Sequence, residues 1–180
     1  ELRDIWGMKT VENFQPNIFK QTKRALKWNG NHDLVCDLIL STSTGSTYII
    51  NQESTWLSTN VPVILGGIEL IQIFGSSFSS NITIVEYSDH TFVANEATKV
   101  LYSAAYFFST GASIKLNEPI VVQPKKLYEI QMNSLEPFGS PYHYSMWTSE
   151  VKLAKGVIIR LHQHPSERRG IASKLHLNTI

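Results

Sequence analysis

The sequence predicts an all-β fold, and three observations predict it. Short runs rich in Val, Ile, Leu and Tyr recur along residues 33–180. Gly, Pro, Ser and Asn clusters separate them at roughly the ~8–12-residue spacing of a sandwich or barrel. The chain has 180 residues, 42% hydrophobic and 17% charged, which suits one domain with a core that needs no staples.

Taken in order, residues 1–32 differ in texture from the rest. Asn17 to Trp28 reads as a short helix, with Asn17 as its cap and Gly30 just past its end. Ile18, Phe19, Thr22 and Leu26 line one side and Lys20, Lys23, Arg24 and Lys27 lie elsewhere. This stretch is an N-terminal extension: an amphipathic linker helix, or a basic arm for a membrane surface or nucleic acid.

The domain itself spans 33–180. Leu34 to Leu40 is the first strand, and Ser41 to Ser46 is a turn-rich linker before Thr47 to Ile50. Val61 to Phe74 follows, with Gly66-Gly67 as a bulge or a point of close packing. Asn81 to Tyr87 is the next run. Glu96 to Phe108 is ambiguous, because Ala97, Leu101, Ala104, Ala105 and Phe108 recur at helical intervals. Strands are expected again at 113–116, 119–122 and 127–132. The last pair, 156–163 and 171–179, reads as a hairpin. Val157, Ile159 and Leu161 alternate with Arg160 and His162, and Leu175 and Leu177 with Lys174 and His176. If both strands share one core, Arg160, His162, His164, Lys174 and His176 form one basic solvent face.

The net charge of +1 hides an asymmetry. Residues 1–27 carry six Lys/Arg against three acids, residues 28–150 four against eleven, and residues 151–180 six against one. No apolar run reaches the ~18 residues of a membrane-spanning helix, and the charged opening Glu1-Leu2-Arg3-Asp4 is not a signal peptide. A start without Met indicates a piece of a longer chain. The single cysteine, Cys36, forms no internal disulfide and points to a reducing intracellular compartment, cytoplasmic or nuclear.

Several segments, in order, resemble the PHR domain. In Ala112 to Ile130, Leu116, Pro119, Ile120, Val122, Pro124 and Tyr128 stand where that family places an aliphatic strand, a Pro-hydrophobic-x-hydrophobic-x-Pro stretch and a following Tyr. Val63 to Gly75 is similar to its glycine-bearing strand and turn, Ser43 to Tyr48 to its first variable strand, and Gly170 to Leu177 to its last strand. Glu69 replaces the second glycine of the pattern, Ser166 to Arg169 replaces Asn-Gly-Thr, and no Pro follows Ile171. The resemblance implies an antiparallel β-sandwich with two-fold pseudosymmetry and loops gathered at one end as a binding surface. It also makes 96–108 strand and loop. It implies a BTB–BACK–PHR ubiquitin-ligase adaptor, with residues 1–32 as the tail of a BACK-like region or the linker leaving it.

Catalytic patterns are weak. His162, His164 and His176 have a spacing compatible with zinc, against which a solvated polar face is the simpler reading. Cys36 sits in an apolar run, as a buried inert thiol does. No Gly-x-Ser-x-Gly elbow or phosphate loop is present. The expectation is a non-enzyme with no cofactor or metal. Binding is better supported. Phe138, Tyr142, Tyr144 and Trp147 cluster in a Gly/Pro-bearing loop, and Tyr and Trp offer large contact area with few rotors. Plugging the end of the core is the alternative for half of them. Phe78, in a serine-rich turn, and Arg168 and Arg169 are further contact candidates. The expected partner is a protein or substrate peptide. A scaffold role without ubiquitin chemistry is the second reading, and nucleic-acid binding through the basic ends, opposed by the acidic centre, is the third.

Overall fold

The computed structural model describes residues 31–38, 47–70, 78–88, 97–108, 113–141, 149–162 and 172–180, with the backbone alone at 47–50, 78, 97–98 and 135–141. Ten strands make up nearly all of it: β1 (Leu34–Asp37), β2 (Thr47–Thr59), β3 (Val63–Leu70), β4 (Phe78–Tyr87), β5 (Ala97–Phe108), β6 (Ser113–Val122), β7 (Leu127–Pro141), β8 (Glu150–Lys152), β9 (Ile158–His162) and β10 (Ala172–Thr179). They form a four-stranded sheet in the order β1-β10-β3-β6 and a six-stranded sheet in the order β5-β4-β7-β2-β9-β8, with every pairing antiparallel. The all-β sandwich expected from the sequence is the fold found. Among the described residues, no helix is long and apolar enough to cross a membrane.

Alternation builds the core. In β1 and β6 the inward positions (Leu34 and Cys36; Ile114, Leu116, Ile120 and Val122) are buried while most of those between them are exposed or half-buried. On the other sheet Ile82 lies opposite Met132 and Ile84 opposite Ile130, and all four are fully buried. One continuous apolar cluster joins these side chains to Leu65, Ile68, Leu175 and Leu177 of the four-stranded sheet. Burying each large aliphatic side chain contributes about 1.5–3 kcal/mol before chain entropy is charged against it.

Gly66-Gly67 is both a bulge and a close approach. The register of β3 slips between Leu65 and Gly67 against β6, and β10 slips between His176 and Leu177. The extra residue keeps Leu65 and Ile68 on the core face although they are three apart. A Cβ on Gly67 would lie 3.1 Å from the Ile114 carbonyl oxygen and 3.3 Å from Cδ2 of His176.

Two tight connections shape one end of the sandwich. Between β6 and β7, Pro124 is followed by Lys125 at φ 63°, the pattern of a type II turn, with proline presetting the first corner. Between β8 and β9 a single 3-10 turn, Ala154–Gly156, places Lys155 and Gly156 at φ 58° and 74°. The Asn60 side chain braces it, donating to the Gly156 carbonyl at 3.0 Å and accepting from the Ile158 N–H at 2.7 Å. Asp33 ties the start of β1 to this region through Lys155 and through the hydroxyl and N–H of Thr179 at 2.9 and 3.1 Å.

One open question closes and three expectations change. Residues 97–108 are a strand, settling the helix-or-strand question: β-branched and aromatic Val100, Tyr102, Tyr106, Phe107 and Phe108 outweigh the alanine spacing. β2 runs on to Thr59, through polar residues that carried no strand signal. β7 extends to Pro141, so Phe138 to Pro141 is strand rather than loop. The last two strands are not a hairpin: β9 pairs with β2 and β8, and β10 with β1 and β3. The expected helix over 17–28 lies outside the described residues.

Candidate functional site

The strand ends fall into two groups. Leu38, Thr47, Leu70, Phe78, Phe108, Ser113, Pro141 and Ala172 lie at the far end of the sandwich. Asp33, Thr59, Val63, Tyr87, Val122, Leu127 and Thr179 lie at the near end, with the two tight connections. Two of the predicted contact residues are placed at the far end by their strands. Phe78 opens β4 opposite Phe108, and Phe138 stands in the last stretch of β7 opposite Ile50. Below them β4 and β7 are stapled together: Ser80 donates to the Asn133 carbonyl at 2.8 Å and Ser134 to the Ser79 carbonyl at 2.9 Å. Tyr142, Tyr144, Trp147, His164, Arg168 and Arg169 lie outside the described residues.

The basic face predicted on the last two strands does not exist as one surface. The inward positions were read correctly, since Val157, Ile159, Leu175 and Leu177 are all buried. The strands, however, belong to different sheets, so Arg160 and His162 face outward on one side of the molecule and Lys174 and His176 on the other. Facing inward does not require pairing with each other, and the alternation alone could not tell these apart. A zinc site uniting His162 with His176 is thereby removed. Among the described residues no cluster of three or more His, Cys, Asp or Glu is placed to hold a metal.

Each cation also has an acid beside it. Arg160 donates to Glu150 at 3.0 Å. On the opposite side Lys174 lies 3.1 Å from Glu69 and 4.0 Å from Asp37. The His176 Nε2 approaches the other Glu69 oxygen at 3.0 Å, while its Nδ1 lies 3.1 Å from Nε2 of His32. Burial raises the Glu69 pKa, but the bond and charge of Lys174, then of His176, outweigh it and hold the carboxyl below its ordinary range. The same contact raises the Lys174 pKa. His176 lies over Gly67, whose missing side chain leaves room for the ring.

The six-stranded sheet carries a second polar assembly on its outer side, which sequence reading missed. Glu129, 5% exposed, accepts from the Ser54 hydroxyl, the Tyr87 hydroxyl and the Gln131 amide, each at 2.7 Å. Burial first, and then the neighbouring Glu129, raise the Tyr87 pKa. The rings of Trp56 and Tyr87 pack 5.0 Å apart beside it. Next along β2, Ser58 Oγ lies 2.7 Å from His162 Nε2, the separation of a nucleophile and its base. The Ser58 hydroxyl is buried within a strand whose backbone is committed to the ladder with β9. Glu129 and Gln131 alternate with the inward Tyr128, Ile130 and Met132, and the burial of Glu129 depends on β2 and β4, which are distant in sequence.

Cys36 is fully buried, and burial, then the charge of Asp37, pushes its thiol up to about 12. That is the inert thiol expected. Tyr128 is the one motif residue with a polar role at the near end. It is 1% exposed, accepts from the Gln123 N–H at 2.8 Å and donates to Glu86 at 3.0 Å, and Lys126 grips the other Glu86 oxygen at 2.5 Å.

Compared with known proteins, the chain matches no family model and no curated protein sequence.

Proposed function

We propose that this chain is a non-catalytic protein-interaction domain of the PHR type, recruiting a partner or substrate peptide within a BTB-type cullin-RING ubiquitin-ligase adaptor in the cytoplasm or nucleus. The observation that carries the reading is the gathering of strand ends at the far end of the sandwich. There the strands bearing Phe78 and Phe138 stop, and Pro141 leads directly into Tyr142, Tyr144 and Trp147. A rigid platform that ends in an aromatic-rich connection is how sandwiches present binding loops. The ordered series of PHR-like segments, ending at Leu177, supports the family.

A hydrolytic reading of Ser58 and His162 is disfavoured by its surroundings. A buried hydroxyl inside a strand offers no approach for a substrate, and ladder-bound N–H groups cannot turn toward a developing oxyanion. Nucleic-acid binding through a joint face of Arg160 and Lys174 loses its basis, since the two stand on opposite faces, each beside a carboxylate.

Affinity capture of the full-length protein from cells, with and without Tyr144→Ala/Trp147→Ala, tests the proposal. A cullin scaffold common to both samples, and a subset of proteins lost only from the variant, is the expected result. The same proteins in both samples, or no cullin in either, refutes it. A variant that has lost its β-rich circular dichroism spectrum places those aromatics in the core and refutes the binding role as well.

A further inference from the structure

The sheet edges differ in a way the proposed function does not use. Among the described residues the edge strands are β1, β6, β5 and β8. Proteins blunt such edges by shortness, charge, proline or bulges, because an open edge templates pairing with another chain. β1 has four residues and β8 three. β6 carries Lys115 and Glu118 and is broken at Asn117 to Pro119, where its register with β3 jumps from Ile120 to Lys115. β5 is the least protected, with its bulges confined to the Ala97–Tyr102 half. It is 12 residues long, contains no proline or glycine, and bears a single charge, Lys99, near its start.

A second observation falls on the same strand. Large apolar side chains that are exposed number four among the described residues, and two of them are on β5: Phe107 at 72% and Val100 at 58%. The bulge of β5 between Val100 and Tyr102, seen in its register with β4, turns Val100 to the outer face that Ser103, Ala105 and Phe107 share.

We propose that β5 pairs antiparallel with β5 of a second copy of this chain, so that two six-stranded sheets run on as one. The strand's own sequence selects this occupant. With the two-fold axis at Ala104, Ser103 stands opposite Ala105 of the second copy and Tyr102 opposite Tyr106. The bulge sets Val100 beside Phe107 of the second copy, so each exposed apolar residue covers the other. Small side chains flank the axis, where the strands approach most closely. Lys99 comes opposite Phe108 of the second copy, so no like charges oppose one another. A two-fold contact of this kind closes on itself and stops at two copies.

Sedimentation equilibrium of the 180-residue chain tests this, with Ala105→Lys/Phe107→Lys as the disrupting variant and Glu118→Lys as an edge control on β6. The double variant places four ammonium groups on one face about the axis. It is expected to weaken the dimer roughly tenfold or more, while Glu118→Lys leaves it unchanged. Ala104→Cys supplies a second readout that does not depend on folding of the charged variant. Directly opposed residues in an antiparallel pair have the Cα spacing a disulfide accepts, so mild oxidation yields a covalent dimer. The wild type, whose one thiol is buried, yields none. A wild type that stays monomeric across the accessible concentration range overturns the proposal. A dimer that survives Ala105→Lys/Phe107→Lys, or one that Glu118→Lys disrupts equally, is built elsewhere and overturns it too. So does a monomer whose β5 edge takes up an unrelated extended peptide instead.

Discussion

Replacing Tyr128 with Phe isolates the polar role of a residue otherwise surrounded by core. The ring stays, so apolar burial is retained and no cavity opens. The hydroxyl goes, and with it two hydrogen bonds: the one it donates to Glu86 at 3.0 Å and the one it accepts from the Gln123 N–H at 2.8 Å. The first involves a charged acceptor and is worth about 1.5–3 kcal/mol. The second is cheaper to lose, because Gln123 is exposed and water can take its N–H. Glu86 keeps Lys126 as a counter-ion, which trims the cost of leaving its second oxygen without the phenol. The expected loss is therefore about 2 kcal/mol. For a domain of this size that lowers Tm by roughly 4–8 °C. Urea denaturation followed by circular dichroism measures it. A double-mutant cycle with Glu86→Gln assigns the loss to the pair, with an expected coupling of about 1 kcal/mol or more. A Tyr128→Phe loss below about 0.5 kcal/mol, or a cycle with no coupling, refutes the assignment.

Lys125→Gly is expected to stabilise the domain by about 0.5–1 kcal/mol, since relief of the left-handed conformation at φ 63° outweighs the added freedom of glycine in the unfolded chain; an unchanged urea midpoint refutes it. Acid is expected to destabilise through Asp33 and Glu69. The Lys155 bond chiefly, helped by Thr179, lowers the Asp33 pKa below its ordinary 3.8, and Glu69 is held below 4.5. A carboxyl lowered in the folded state contributes stability that is full above its unfolded pKa and lost as pH falls through the folded one. The melting temperature should therefore drop as pH falls below about 4. Asp33→Asn should flatten that drop, and an equally steep profile in the variant rules Asp33 out.

What could be read in the sequence was what neighbours along the chain decide. Inward and outward positions of β9 and β10 followed from alternation, and the tandem glycines marked a real bulge. The buried inertness of Cys36 followed from its apolar run. What was not legible depended on pairing between distant segments. The outward alternation of Arg160 and His162, and of Lys174 and His176, was correct for each strand. Only the sheet assignment shows that the two strands turn those residues to opposite sides. The Glu129 assembly draws its donors from β2, β4 and β7, so no single stretch announces it. Glu53 to Thr59 gave no strand signal because its outward Ser54 and Ser58 serve Glu129 and His162 rather than solvent. In 97–108 a helical spacing of alanines competed with β-forming residues, and pairing with β4 decided the outcome.

The pairing of β1 with β10 places residues 31–33 against residues 178–180, where Asn178 holds the Asp33 N–H and the Asn31 carbonyl. The polypeptide therefore enters and leaves this domain through a single corner, at the near end. The eight residues of β10 span about 26 Å at ~3.3 Å each, and they run from that corner to the far end where Phe78 and Phe138 stand. If the proposed binding at the far end holds, a bound partner sits one strand length from this corner. The sandwich thus sets a fixed distance between the corner holding residues 31 and 180 and the far end, given by strand length.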